Sequence, residues 1–244
     1  MDAYNILWGD LVALKRHFPR YIVTTLISPL LYLVAFGWGL GRGINLNGTS
    51  YLEFVIPGII ALTAMTTSFN GAGTRLNVDR LYFMSFDECL MAPIDLSSLF
   101  MGKALIGVFR GIMSSVVFLA VALIIAPTIH VSPIFMVGLL LTSLTFALLG
   151  VLVALLARSH EDMGTFGSLI LTPMTFLGGT FFSLSQVPIG LKYALYALPL
   201  THSSLFLRAA ALEQPLPWGS FFMLMAFFAA FLVFGLVTLR KISI

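Results

Sequence analysis

The amino-acid sequence predicts an all-α membrane protein with six transmembrane helices, and three observations predict it. Only 9% of its 244 residues are charged against 59% hydrophobic, whereas a soluble domain carries about 25% charged residues and needs them to face water. Residues 21–41, 54–74, 111–157, 163–191 and 215–239 contain no Asp, Glu, Lys or Arg, and about 20 apolar residues of helix cross a hydrocarbon core. The third of these stretches is more than twice the necessary length. Pro127, His130 and Pro133 divide it into two helices joined by a turn, so the chain, residues 1–244, reads as one transmembrane domain with both termini on one side.

The basic residues orient the spans. With the N-terminus inside, Lys15, Arg16, Arg20, Arg75, Arg80, Lys103, Arg110, Arg158, Arg240 and Lys241 fall on the inner side and only Arg42, Lys192 and Arg208 outside, the bias of cytoplasmic loops. Arg110 shares a helical face with Lys103 and is expected to snorkel to the inner headgroups or to face protein. The first apolar run is of full span length and lacks a cleavage pattern. The expected location is a bacterial-type inner membrane, multi-pass, with both termini in the cytoplasm. A net charge of +3 is too mild and dispersed to argue for nucleic acid, and Cys89, the single cysteine, excludes an internal disulfide framework.

Three segments lie outside the spans. In residues 1–19, Tyr4, Leu7, Trp8, Leu11, Leu14 and Phe18 recur at helical spacing with Asp10, Lys15 and Arg16 between them. An amphipathic helix lying along the inner interface fits that pattern; the alternative is an extension of the first span kinked at Pro19. The inner segment, residues 75–102, carries a short helix over residues 83–92, with Ser85 and Glu88 as a capping box and Pro93 as its stop. Its Phe86, Leu90 and Met91 beside Asp87 and Glu88 suit docking in another protein's cleft, or packing back on the bundle. The outer segment, residues 183–217, is long for a loop. Its apolar parts, residues 187–200 and 205–212, read as two short re-entrant helices forming an outer lid.

Several chemistries are absent from the pattern. Gly102 and Lys103 lack the glycine spacing of a phosphate-binding loop, so no nucleotide, metal or other cofactor is expected in this chain. His17, His130, His160 and His202 are scattered. Gly37, Gly39, Gly41 and Gly43 fit a small-residue packing surface better than a nucleotide loop. Ser168 after Gly167 resembles a hydrolase nucleophile only weakly, because His130 and His202 fall near the outer surface. The absence of Asp and Glu from mid-span argues against ion coupling. Polar groups such as Thr66, Thr67, Asn70, Ser114, Thr145 and Thr172 suit an amphipathic substrate held without fixed charge, and equally ordinary helix packing.

Three segments carry a resemblance: Ser28-Pro29-Leu30-Leu31-Tyr32-Leu33 with Gly37-Trp38-Gly39-Leu40-Gly41, then Leu171-Thr172-Pro173-Met174-Thr175-Phe176-Leu177-Gly178-Gly179 through Ser185-Gln186-Val187-Pro188, and Leu198-Pro199-Leu200-Thr201-His202 with Arg208. In order and spacing the whole chain resembles the type-2 ABC-transporter permeases that export nodulation factors, lipooligosaccharides and drugs. The resemblance implies an exporter subunit that pairs with a second permease copy, commonly identical, and with two separate ATPase subunits that bind ATP and Mg. It places the coupling helix on Ser85, Phe86, Asp87, Glu88, Cys89, Leu90, Met91, Ala92 and Pro93, less charged here than the Glu-rich versions of the family. It places the short outer helices at residues 187–198 and 201–212. Spans one, two and five would line the path, with Phe36, Trp38, Phe69, Asn70, Phe176 and Phe181 as candidate lining residues and a lipid-linked or lipo-oligosaccharide, polysaccharide or hydrophobic drug as cargo. An ion-coupled carrier or channel acting without an ATPase, an intramembrane hydrolase and an assembly subunit are the rival readings.

Overall fold

The computed structural model describes Trp8, Lys15 and residues 18–41, 45–46, 49–91, 95–184 and 187–242. Most of the expected interfacial helix therefore lies outside the described residues; within it Trp8 and Lys15 are helical and exposed. In chain order the helices are α1 (Phe18–Tyr32), continued by a π-helix (Leu33–Leu40), α2 (Tyr51–Leu81), α3 (Ser85–Met91), α4 (Leu96–Ile125), α5 (Pro133–Leu156), α6 (His160–Leu177), α7 (Ile189–Tyr196), α8 (Pro199–Ala211) and α9 (Trp218–Ile242). A two-stranded hairpin, Asn45–Leu46 against Thr49–Ser50, joins the first helix to α2.

Among the described residues five helices are long and apolar enough to cross a membrane: Phe18–Gly39, Tyr51–Leu81, Leu96–Ile125, Pro133–Leu156 and Trp218–Lys241. The turn expected at Pro127 to Pro133 is present. Ser132 caps α5 by accepting the Phe135 N–H at 3.2 Å, and Pro133 takes the first turn, where its missing N–H costs nothing. Charged residues did not stop helices as the charge-free stretches suggested. Glu53 reaches back to the Ser50 N–H at 3.0 Å and starts α2 ahead of residue 54, and Arg80 of α2 and Lys103 of α4 reach partners on neighbouring helices. Residues 82–95 are thus the only part of the inner segment between these two helices.

The fifth expected span, residues 163–191, corresponds to α6, an 18-residue helix that opens on Glu161 and Asp162. It ends early because Gly178 and Gly179 follow, the latter at φ +68°, a left-handed position that glycine adopts without a Cβ clash. The short outer helices expected around Pro188 and Pro199 are α7 and α8.

α2 and α5 form the centre. In their most apolar windows 78% and 72% of residues are buried, against 17% for α1 and for α9. Small residues let the central helices touch. A Cβ on Gly107 would come within 2.5 Å of the Ser68 carbonyl, and one on Gly150 would collide with the Phe69 backbone, the close backbone approach that membrane bundles use. Phe69, Phe118, Phe135, Phe146 and Phe206 fill the space around these crossings. Gly37 and Gly41 meet Leu52 and Tyr51 at the start of α2, so their small surface packs within the chain.

Candidate functional site

The C-terminal end of α2, expected to face inward, holds a polar hub. Arg75 and Asp79 stand one turn apart, and the buried Asp79 carboxylate takes Arg75 at 3.3 Å on one oxygen and Lys103 of α4 at 2.6 Å on the other. Arg80 donates to the carbonyls of Ala154, Leu155 and Ala157 at 2.8, 2.9 and 3.1 Å, satisfying acceptors that the end of α5 leaves orphaned. Asn77 Oδ1 lies 3.1 Å from His160 Nδ1 at the start of α6. One helix end thereby ties together α4, α5 and α6.

From this hub the chain passes through exposed Tyr82, Phe83 and Met84 into α3. The expected capping box at Ser85 is not formed. Met84 takes a left-handed φ of 52°, Glu88 N–H donates to the Met84 carbonyl at 3.2 Å, and the Ser85 hydroxyl turns back to the Asp79 carbonyl at 3.5 Å. α3 packs back on the bundle with one face and leaves another exposed. Phe86 is buried among Leu76, Leu99, Phe100 and Leu155, Cys89 and Leu90 are half-buried, and Glu88 and Met91 face outward, Met91 at 81% exposure. Asp87 lies within the helix; Ala92 and Pro93 lie outside the described residues. At the start of α4 the exposed Asp95 accepts from the Ser97 hydroxyl, and that bond is the main reason its carboxyl sits below the usual range.

A cavity of about 570 Å³ opens between α1, α2 and α4. From α1 it takes Tyr21, Thr24, Thr25 and Ser28, and from α2 Thr66, Thr67, Asn70 and Thr74. The threonine hydroxyls of Thr24, Thr25, Thr66 and Thr67 donate to carbonyls of their own helices, so they wet the wall without adding charge. The charge comes from Arg75 and Arg110, which also line it. Arg110 thus faces protein, one of its two expected dispositions, and it faces this cavity.

The outer end is closed by a different arginine. Arg208 of α8 donates to the carbonyls of Phe54, Gly179 and Thr180 at 2.9, 2.9 and 3.2 Å, with its guanidinium 3.7 Å from the centre of the Phe54 ring. It pins the outer helix to the start of α2 and to the turn after α6. Nearby Tyr51 donates to the Phe181 carbonyl at 2.7 Å, and Phe36 stacks on Phe181 at 4.1 Å.

The candidate lining residues are spread over this frame. Phe36 and Phe181 come together at the outer end, Asn70 lines the cavity, Trp38 and Phe176 are exposed, and Phe69 is fully buried on the α5 side of α2. Sequence reasoning missed the hub. Its one signal was Asp79 a turn beyond Arg75 and beside Arg80, a lone carboxylate between two arginines on a mostly apolar helix.

An α-helical membrane bundle, a short, partly exposed helix presented from a braced hub and a polar cavity in the bundle wall point to a class: a membrane transport subunit. Residues 3–212 match the ABC-2 type transporter family, and the chain belongs to it. It is similar to the inner membrane transport permease YadH of Escherichia coli K12, 32% identical over 202 residues that cover 77% of this chain and 76% of the relative. It is also similar to nodulation protein J of Rhizobium meliloti, 29% identical over 201 residues covering 80% and 75%. Nodulation protein J of Bradyrhizobium diazoefficiens is 28% identical over 222 residues covering 87% and 83%. The chain is thus an ABC-transporter permease.

Proposed function

We propose that this permease is the membrane-spanning half of an exporter that moves an amphipathic molecule outward across a bacterial inner membrane, driven by two ATPase subunits that bind ATP and Mg. The carrying observation is α3. A seven-residue helix with one face buried by Phe86 and the other offering Glu88 and Met91 is a rigid knob, and its root is the hub that grips α2, α4, α5 and α6. A push on α3 reaches the bundle through Asp79, Arg80 and Lys103. The clustering of Arg20, Arg75, Arg80, Lys103, Arg158, Arg240 and Lys241 towards the α3 end supports an inward α3 and cytoplasmic termini.

A second, identical permease copy is supported by α6. Its exposed residues mix the small and polar Gly164, Thr165, Ser168, Thr172 and Pro173 with the apolar Phe166, Leu169 and Phe176, a surface whose small groups suit a helix partner. Exposed α9, by contrast, presents Phe222, Met223, Val233, Phe234 and Val237, suited to lipid. In this arrangement α6 completes a sixth span, and Trp38, Asn70 and Phe176 present exposed surface to the path. The cargo is an amphiphile such as a lipid-linked or lipo-oligosaccharide.

Replacing Asp87 and Glu88 together by Asn and Gln tests the assignment. The expected result is loss of ATPase co-purification and of ATP-driven transport with an unchanged thermal midpoint. Undiminished co-purification and transport would remove α3 from the coupling role.

A further inference from the structure

Arg110 differs from every other enclosed cation of the bundle. Lys103 and Arg75 share Asp79, Arg80 and Arg208 each hold three carbonyls, but the Arg110 guanidinium has no hydrogen-bond or ion-pair partner among the described residues, and its Nε is enclosed without one. Its one contact is with the Tyr21 ring, 5.6 Å from the ring centre. Seven residues beyond Lys103, it stands about 10 Å further along α4, within a helix long and apolar enough to cross a membrane, where an unmatched cation is costly and marks function by default.

The surroundings hold it there. Its stem crosses Gly71 of α2, where a Cβ would lie 2.9 Å from Arg110 Cδ, so the glycine supplies the groove in which the side chain rests. Among the described residues no carboxylate lines the cavity, whose cations are Arg110 and Arg75 and whose other fixed donor is the Asn70 amide. The space is open beside exposed Thr24, Ser28 and Asn70. A guanidinium in a polar recess with no carboxylate among its described lining residues matches an oxyanion: it offers paired N–H donors in the geometry of phosphate and carboxylate.

We infer that the cavity between α1, α2 and α4 binds the anionic headgroup of a membrane amphiphile, phosphate or carboxylate, on Arg110, with the tail leaving towards the lipid past α1. That this occupant is the cargo rests on the exporter reading; that it binds does not, so the two fail separately.

The test uses the purified, delipidated full-length permease without its ATPase. Binding of phosphatidylglycerol and of phosphatidylcholine is counted by native mass spectrometry for wild type, Arg110→Gln, Arg110→Lys and, as an exposed basic control, Arg158→Gln. The expected result is preference for phosphatidylglycerol, weakened about tenfold or more in Arg110→Gln, largely kept in Arg110→Lys and unchanged in Arg158→Gln. Equal binding of the two lipids by wild type, or phosphatidylglycerol binding by Arg110→Gln at wild-type strength, would overturn the site. Displacement of phosphatidylglycerol by inorganic phosphate at millimolar concentration would overturn the lipid assignment and leave a free-anion site. Should Arg110→Gln fail to fold, Gly71→Ala, which crowds the arginine stem, replaces it with the same expected loss and the same overturning result. Transport measured with the partner ATPase reports separately on the exporter reading.

Discussion

Arg208 at the outer end and Arg110 in the inner part of the bundle are both arginines set among helices, and they are held in opposite ways. Arg208 is buried with three carbonyls and an aromatic ring around it; Arg110 touches one ring and has an enclosed nitrogen with no partner. The contrast separates two uses of buried charge. A cation whose donors hold buried carbonyls is a structural rivet, because removing it strands those acceptors in a place water does not reach. A cation whose donors are free contributes little to the fold and keeps its capacity for a ligand.

The hub sets the upper limit of the structural class. Asp79→Asn removes the shared carboxylate and leaves Lys103 enclosed and unpaired, with an expected cost of about 3–5 kcal/mol. Lys103→Met alone costs less, since Arg75 still faces Asp79. Thermal unfolding in lipid-containing micelles measures both, and a double variant recovering most of the loss would show that the unmatched charge, not lost packing, is responsible.

Arg208→Met comes next. It keeps the stem and strands three carbonyls, an expected cost of about 2–3 kcal/mol, and Arg208→Lys is not expected to rescue it, since a point ammonium cannot reproduce the planar fork that spans Phe54, Gly179 and Thr180. Arg110→Gln is then expected to lie within about 0.5 kcal/mol of wild type. A loss as large as that of Arg208→Met would place both arginines in one class and end the distinction.

The fold was legible where apolar length and proline punctuation act alone. The break at Ser132 and Pro133, the two short outer helices and α3 all follow from local signals that nearby residues decide. What was not legible depends on pairing across the bundle. Charge-free stretches underestimated α2 and α4 because Asp79 neutralises Lys103 from another helix, 24 residues away in sequence, and a charge with a partner does not end a span. The Ser85 and Glu88 capping pattern failed because Ser85 already lies inside the helix and the Met84 carbonyl takes the Glu88 N–H, while the same pattern at Ser50 and Glu53, not singled out, is the one that reaches back. Arg110 was legible as an anomaly of position, but its wall of threonines from two other helices was not, since nothing in linear order brings residues 21–28 beside residues 66–74.

Asp95 extends the comparison to carboxylates and carries the smallest expected effect. Like Asp79 it lies at the inner end, but it is fully exposed, and the Ser97 hydroxyl rather than a buried cation holds its pKa below the usual carboxylate range. A folded-state pKa below the unfolded value means a contribution present above the ordinary carboxylate pKa and lost as pH falls through the depressed one. Asp95→Asn should therefore lower the thermal midpoint slightly at neutral pH and not at all in acid, and Ser97→Ala should bring the Asp95 titration, followed by carboxyl NMR, back towards its ordinary position. Because solvent screens an exposed group, neither change should approach that of Asp79→Asn. If Asp95→Asn destabilised the bundle as much as Asp79→Asn, the partner's enclosure would not be what makes a charge structural, and the reading of Arg208 as a rivet would lose its physical basis along with it.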